Sequence, residues 1–178
     1  MFKLIFSLFL ITSCFSKKTP VSIPTIEGKV IKIVDGDTYD LLMKNNNTMR
    51  IRMRGIDAPE RGMPFYRVAK EHLGKICFGK LIHLENLEKD RYGRTIAYSY
   101  SDGTELSHEM IKAGMAWHFK KYSSDAVLSD LEIVARKSKL GLWADENPIP
   151  PWENRRLHKK GISTALFAKD YSSLGSEN

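Results

Sequence analysis

Residues 35–60 of the chain read DGDTYDLLMKNNNTMRIRMRGIDAPE. In the second half of this stretch, apolar residues alternate with Arg50, Arg52 and Arg54. This period of two predicts a strand with one apolar face and one cationic face. The three asparagines at 45–47 indicate a turn, because asparagine tolerates left-handed backbone angles. A hairpin would therefore bring the acidic clusters at the two ends of the stretch to the same end of a sheet.

The residue types in and near this stretch suit phosphodiester chemistry. Asp37 and Asp57 are candidate metal ligands, because carboxylate oxygens select hard cations such as calcium or magnesium over zinc or copper. Glu60 is the candidate general base, since hydrolysis requires a group that takes a proton from water. Arg52 and Arg94 are candidate phosphate ligands, because guanidinium groups match phosphate oxygens bidentately and stay charged.

Patterning in the rest of the chain predicts a small capped barrel. Five strands, with a helix between the third and fourth, indicate an α+β fold with a five-stranded oligonucleotide-binding (OB-fold) type barrel and three α-helices. A proline-rich segment at 147–152 is expected to run extended on the surface with Trp152 packed. The expected strands are 26–34, 38–44, 48–56, 81–87 and 95–100, and the expected helices are 64–78, 107–113 and 125–138.

Composition favours a globular protein with an anionic partner. Of the 178 residues, 42% are hydrophobic and 28% are charged, which excludes a disordered or membrane-spanning chain. A net charge of +7 favours nucleic acid or an anionic membrane surface as partner. Two cysteines provide no disulfide framework. We place one domain at 25–153 and a basic, then polar, tail at 154–178 that frays beyond about residue 161.

The first 13 residues have the composition of a targeting segment. Lys3 precedes an apolar run that is far too short to span a bilayer, and the run ends in ITSC, which resembles the lipobox of bacterial lipoproteins. We therefore expect a lipoprotein signal peptide at 1–13 and a tether at 14–24 that starts from lipidated Cys14. The protein would then be extracytoplasmic and membrane-anchored, in the periplasm or at the cell surface. A plain signal peptide is the alternative, and it would give a secreted protein.

Three motifs in register resemble the signatures of the staphylococcal nuclease (thermonuclease) family. They are VDGDT at 34–38, RMRGIDAPE at 52–60 and DRYGRTIAY at 90–98. Two further segments, GMAW at 114–117 and GLW at 141–143, resemble later landmarks of the family. The resemblance covers residues 25 to 153 in the expected order, and three motifs together are far more specific than any one of them.

This resemblance implies an OB-type barrel with three helices and a monomeric, calcium-dependent endonuclease. Such enzymes act on DNA and RNA and leave 5′-hydroxyl and 3′-phosphate ends. Ala58 falls where the family supplies a main-chain carbonyl to calcium, and Tyr92 falls where a tyrosine lies near the nucleotide. The residues that the resemblance assigns are Asp37, Asp57 and Ala58 for Ca²⁺, Arg52, Glu60 and Arg94 for catalysis, and Tyr92 for substrate binding.

The chain departs from the original family member in two places. Residues 61–64 form a different, short connection after Glu60, so the basic loop found there in the family is altered. The later nucleotide-stacking tyrosine has no clear match, and Phe119 or Tyr122 could take its place. Both departures bear on substrate preference and leave the chemistry unchanged.

Two other functions fit parts of the sequence. A non-catalytic nucleic-acid-binding OB-fold lipoprotein would use the barrel and the basic charge, but it would not require Glu60, the arginines and the aspartates together. A surface lipoprotein that scaffolds other envelope proteins would require only the anchor and the fold. Neither alternative predicts cleavage of DNA in the presence of a divalent cation.

Overall fold

The computed structural model describes residues 26–162. The expected signal peptide, the lipidation site Cys14, the tether and the end of the tail lie outside these residues, so those expectations stay predictions. Within the described part of the chain, no helix is both long and apolar enough to cross a membrane.

A closed barrel of five strands forms the centre of the molecule, as the sequence predicts. The strands lie in the order β3-β2-β1-β5-β6, and β3 also pairs with β6 in parallel, which closes the sheet on itself. All other pairings within the barrel are antiparallel. The barrel strands are β1 (Ile26–Ile33), β2 (Thr38–Met43), β3 (Thr48–Met53), β5 (Leu81–Lys89) and β6 (Thr95–Ser101).

The remaining elements cap the barrel. Two short strands, β4 and β8, form a separate antiparallel pair, and β7 extends β6 as a small hairpin. The described residues contain four α-helices, one more than we predicted. These elements are β4 (Ile56–Asp57), β7 (Thr104–Glu105), β8 (Trp117–His118), α1 (Tyr66–Cys77), α2 (Leu106–Lys112), α3 (Ala126–Lys137), α4 (Pro151–Lys159) and a 3₁₀ helix (Gly141–Ala144).

Strands β2 and β3 form the hairpin that the alternation predicts. Asn46 takes a left-handed conformation with φ of 61° at the turn. Ile51 and Met53 point into the barrel and are almost fully buried, whereas Arg50 and Arg52 lie on the opposite face. The two-residue period of the sequence therefore sets which side of β3 faces the core and which faces the groove described below.

Helix α1 supplies much of the core that the barrel alone would lack. Ala69, Leu73 and Cys77 are spaced four residues apart, so they share one face of the helix, and all three are completely buried. Full burial of a leucine side chain contributes about 2 kcal/mol. Burial raises the pKa of the Cys77 thiol to about 12, so this cysteine stays protonated and packs as a small apolar residue.

The expectation for the C-terminal segment was wrong for residues 151–159. We expected an extended segment at 147–152 and a tail that begins at 154, but α4 starts at Pro151 and continues to Lys159. Proline fits the first turn of a helix, where no backbone N–H is needed. The expected packing of Trp152 is confirmed, because its ring stacks on Phe119 with centroids 5.2 Å apart. Asn154, two residues further on, is also buried at 3% exposure.

Two glycines hold the end of α2 against the 3₁₀ helix. The N–H of Leu142 donates to the carbonyl oxygen of Gly114 at 2.8 Å. A Cβ atom on Gly114 would lie 2.2 Å from the carbonyl oxygen of Leu140, and one on Gly141 would lie 2.4 Å from that of Gly114. Both contacts are with backbone atoms, so a side chain at either position would force the two segments apart.

We predict that Gly114→Ala destabilises the protein far more than Gly103→Ala. Both glycines have positive φ, 68° and 78°, but Gly103 has open space where a Cβ would sit. Gly103→Ala should therefore cost only backbone strain, about 1–2 kcal/mol, while Gly114→Ala adds the clash and should cost at least about 3 kcal/mol. Urea unfolding measures both values. Equal losses in the two variants would contradict the close contact.

Candidate active site

An open groove of about 1950 Å³ runs across one side of the barrel. Its walls come from the β2–β3 hairpin, the loop after β4, the connection between β5 and β6, and α4. The groove brings together all seven site residues that the sequence predicts, namely Asp37, Arg52, Asp57, Ala58, Glu60, Tyr92 and Arg94.

Arg52 lies between the two acidic clusters. Its Nη2 lies 2.9 Å from Asp57 Oδ1 and 3.1 Å from Asp37 Oδ2. Its Nη1 donates to the carbonyl oxygen of Met53 at 2.9 Å, and only 12% of its side chain is exposed. The hairpin therefore does bring both clusters to the same end of the sheet.

Asp37 is fixed by its neighbours as well as by Arg52. The hydroxyl of Thr38 donates to Oδ1 at 2.9 Å, and the backbone N–H of Ala58 donates to Oδ2 at 2.7 Å. Asp37 is only 5% exposed, so these bonds replace the water that a buried carboxylate has lost. The bond from Ala58 also ties the loop after β4 to the start of β2.

The groups around Asp35 and Asp57 compensate the negative charges of these two carboxylates only in part. Burial raises the pKa of Asp57, although the charge of Arg52 opposes this shift. Burial, together with the charge of Asp37, raises the pKa of Asp35 to about 7. We did not select Asp35 as a site residue, although it belongs to the same DGD motif. A cation near these groups would favour their ionised forms, because raised carboxylate pKa values reflect unfavourable negative charge.

Arg155 is a site residue that the sequence reasoning missed. From α4, its Nη2 donates to Asp57 Oδ2 at 2.7 Å and its Nη1 donates to Glu60 Oε1. The sequence analysis places this position in the basic tail, outside the domain. The available signal was its place three residues after Trp152, because this spacing puts both side chains on one helical face. Helix α4 therefore brings a second guanidinium group to the acidic cluster, and this group binds the Asp57 oxygen that Arg52 does not.

The connection between β5 and β6 carries the other predicted residues. Arg94 Nε donates to Asp90 Oδ2 at 2.7 Å, so this arginine is held at the groove wall and not on the acidic cluster. The guanidinium carbons of Arg91 and Arg94 lie 4.8 and 5.6 Å from the ring centre of Tyr92. Tyr92 is 68% exposed, so its ring is accessible from the groove.

Both aromatic candidates for nucleotide stacking lie in the groove. Phe119 is stacked on Trp152 and makes an edge contact with Tyr122 at 4.9 Å, so it is partly covered. Tyr122 is 68% exposed, with Lys121 Nζ 5.5 Å from its ring centre. Of the two, Tyr122 is the side chain that offers an open ring.

The donor chemistry of the cluster fits a hard cation. Asp37, Asp57 and the carbonyl of Ala58 are oxygen donors, which calcium and magnesium prefer. Within residues 26–162, no three His, Cys, Asp or Glu side chains stand together in a metal-holding arrangement. Water and substrate oxygens would therefore have to complete the coordination, which is usual for these cations at phosphate-handling sites.

A closed barrel whose groove combines buried carboxylates with arginines has the features of a phosphodiester-binding protein. The family described as staphylococcal nuclease homologue matches residues 50–145. A Haemophilus influenzae protein named as an endonuclease is 40% identical over 131 residues, covering 74% of each chain. A micrococcal nuclease of Shigella flexneri is 37% identical over 157 residues, covering 80% of this chain and 90% of the relative. The chain belongs to the staphylococcal nuclease homologues, which confirms the family resemblance.

We predict that Arg52→Gln destabilises the protein by about 3 kcal/mol at pH 8, because it removes the guanidinium that Asp37 and Asp57 share and leaves these buried carboxylates with less compensating charge. Arg50→Gln is the matched control on the same strand. Arg50 pairs with a single carboxylate, Asp40, and its side chain is 49% exposed, so water can take its place and its loss should cost less, about 1–2 kcal/mol. Urea unfolding measures both variants, and equal losses would contradict the bridging role of Arg52.

The Arg52→Gln deficit should shrink at lower pH. The pKa of Asp57 in the folded protein is already raised by burial, and removal of Arg52 raises it further. The folded state then binds more protons than the unfolded state, so stability increases as the pH falls through the folded pKa towards the unfolded one. Unfolding curves at pH 8 and pH 5.5 test this, with the wild type measured at both values.

Proposed function

We propose that this nuclease is a calcium-dependent endonuclease that hydrolyses phosphodiester bonds of DNA and RNA to give 3′-phosphate ends. The observation that carries the proposal is the position of Arg52 between Asp37 and Asp57, with Glu60 at the rim of the same groove. This arrangement supports the proposal because carboxylates that could hold a cation, a carboxylate that could act as a base and a guanidinium that could bind phosphate lie in one cluster. Membership of the staphylococcal nuclease homologues supports it.

In this proposal the acidic cluster holds the cation. Asp37, Asp57 and the carbonyl of Ala58 would be its protein ligands. A cation held by these oxygens would supply charge that polarises the scissile phosphate and neutralises part of its negative charge. The bonds from Thr38 and Ala58 to Asp37 hold that carboxylate in place, so that the site does not have to reorganise when substrate arrives.

Glu60 acts as the general base. Its side chain is 40% exposed, so water reaches it from the groove. It takes a proton as the water oxygen forms a bond to phosphorus and the bond to the 5′ oxygen breaks. The departing 5′ oxygen takes a proton from solvent water and leaves as a 5′-hydroxyl group. The phosphate stays on the 3′ side of the cleaved bond.

Arg52 and Arg94 stabilise the charge that builds up on the phosphate. Arg52 is fixed at the cluster, whereas Arg94 is held at the groove wall by Asp90 and has 35% of its side chain exposed. Arg94 would exchange this carboxylate for a phosphate oxygen when substrate binds. Both guanidinium groups offer paired donors, which suits the oxygens of a pentacoordinate phosphorus.

The groove also suits an unpaired strand. The exposed rings of Tyr92 and Tyr122 can stack on unpaired bases, and neighbouring Arg91 and Lys121 can bind the backbone. The net charge of +7 adds general attraction for polyanions. These features favour single-stranded segments of either DNA or RNA as substrate.

We predict that Glu60→Gln lowers kcat on single-stranded DNA by about 100-fold or more, because the general base is lost. Substrate affinity should change little. Glu88→Gln is the matched control, since Glu88 also lines the groove but pairs with Arg54 and is 65% exposed. Cleavage rates in calcium, compared with excess EGTA, measure the effect.

Two outcomes of this assay would contradict the proposal. Full activity of Glu60→Gln would show that Glu60 is not the general base. Binding of DNA without cleavage in any divalent cation would instead favour the non-catalytic OB-fold alternative, in which the acidic cluster is only structural.

We also propose that Cys14 is lipidated and anchors the enzyme outside the cytoplasm, on the strength of the ITSC sequence at 11–14. The predicted result is that the wild-type protein expressed in bacteria partitions into the membrane fraction, whereas Cys14→Ser is found in the soluble fraction. Fractionation followed by mass spectrometry of the N-terminal peptide measures both. Wild-type protein without lipid would favour simple secretion.

A further inference from the structure

Arg155 contacts two residues to which the proposed function assigns chemistry, yet it comes from outside the region that matches the family. That region ends at residue 145, and α4 follows it. One guanidinium of this helix donates to Asp57, a proposed cation ligand, and to Glu60, the proposed base. None of the family motifs in the sequence includes Arg155, so the contact has no role in the proposed mechanism as it stands.

Both oxygens of Asp57 are bonded to guanidinium groups. Oδ1 accepts from Arg52 and Oδ2 accepts from Arg155. Asp57 is 3% exposed, so an incoming cation can gain an oxygen of this carboxylate only by displacing or sharing one of the two arginines. The choice between them is set by how firmly each is held.

Arg52 is the fixed partner and Arg155 is the exchangeable one. The Arg52 side chain is 12% exposed, belongs to the barrel strand β3, and also binds Asp37 and a backbone carbonyl. The Arg155 side chain is 41% exposed and lies at the groove surface. It can leave Asp57 for water without disturbing the barrel, which Arg52 cannot do.

The backbone of α4 stays in place during such an exchange. Pro151 and Asn154 are buried, and Trp152 is stacked on Phe119 with an interplanar angle of 3°. A guanidinium released from Asp57 would therefore remain near the groove, within reach of Glu60. In this exchange the helix backbone stays in place and only the Arg155 side chain moves.

The balance of charged groups in the cluster is also consistent with an exchange of Arg155 for a cation. Asp37, Asp57 and Glu60 provide three carboxylates, and Arg52 and Arg155 provide two guanidinium groups. Without Arg155, the metal-free cluster would keep buried negative charge with less compensation, which is costly. A cation at Asp57 supplies that compensation itself and makes the contact with Arg155 unnecessary.

We propose that Arg155 is a positioning residue that takes the place of the cation: it bridges Asp57 and Glu60 in the metal-free protein and releases Asp57 when calcium binds. The inference rests on the proposed function for the identity of the cation. Arg155 therefore sets the calcium affinity of the site, and it keeps Glu60 oriented towards the groove in the absence of metal.

Calorimetric titration of calcium into the metal-free, full-length protein at pH 8, without nucleic acid, tests this inference. Arg155→Gln removes the guanidinium that competes with the cation, so the calcium Kd should fall by about tenfold. This change corresponds to about 1.4 kcal/mol of binding free energy. Arg156→Gln is the matched control. It removes the same charge from the same helix, but Arg156 pairs with Glu153, so its Kd should stay within about twofold of wild type.

The sign of the change separates competition from a structural role. A merely structural Arg155 would leave the calcium affinity unchanged or weaken it on substitution, and either result overturns the inference. Thermal unfolding gives a second readout. Arg155→Gln should have a lower Tm than wild type without calcium, and the gap should narrow in saturating calcium because ligand binding stabilises the folded state. A gap that stays constant would also overturn it.

Two further measurements keep the result interpretable. If Arg155→Gln does not fold, Arg155→Lys replaces it; a single ammonium cannot bridge both carboxylates equally well, so its calcium affinity should still exceed that of wild type. Wild-type cleavage of single-stranded DNA is measured in parallel. If the wild type cleaves DNA but the Arg155 variant binds calcium no more tightly, only the inference about Arg155 is overturned. If the wild type neither binds calcium nor cleaves DNA, the proposed function is overturned.

Discussion

The ion pairs of Arg52 with Asp37 and Asp57 are the interaction on which the site depends. Arg52 lies on β3, the strand that pairs with β2 on one side and closes the barrel against β6 on the other. Because barrel closure fixes β3, it also fixes the guanidinium that both aspartates share. The same strand buries Ile51 and Met53 in the core, so the stability of the barrel and the geometry of the cluster rest on one six-residue segment.

Most of this arrangement could be predicted because it is local in sequence. The alternation in β3, the asparagine turn and the two acidic ends all lie within residues 35–60, and a hairpin has few other ways to arrange them. Helix α1 was equally clear from its four-residue spacing. Arg94 could be proposed as a phosphate ligand from its residue type alone. Its position in the same groove as Arg52, and the role of Tyr92, could be assigned only through the family motifs, since no local pattern indicates where the connection between β5 and β6 points.

The local sequence does not predict helix α4, and the reason is physical. Three prolines at 148, 150 and 151 favour an extended chain, and the residues that follow are mostly polar or charged. What makes the segment helical is tertiary packing, namely the contact of Trp152 with Phe119 and the burial of Asn154. Phe119 lies more than 30 residues before Trp152, so the role of Arg155 became visible only when the fold placed the helix beside Glu60.

The three tryptophans of the chain form one cluster, and this makes the protein a natural spectroscopic reporter of its own helical cap. Trp117 makes edge contacts with Trp143 and Trp152, with centroids 5.6 and 6.5 Å apart. Tryptophan emission therefore senses the docking of α4 and the 3₁₀ helix but not the barrel strands. Far-UV circular dichroism senses both regions, so the two signals lose amplitude together only if the cap and the barrel unfold as one cooperative unit.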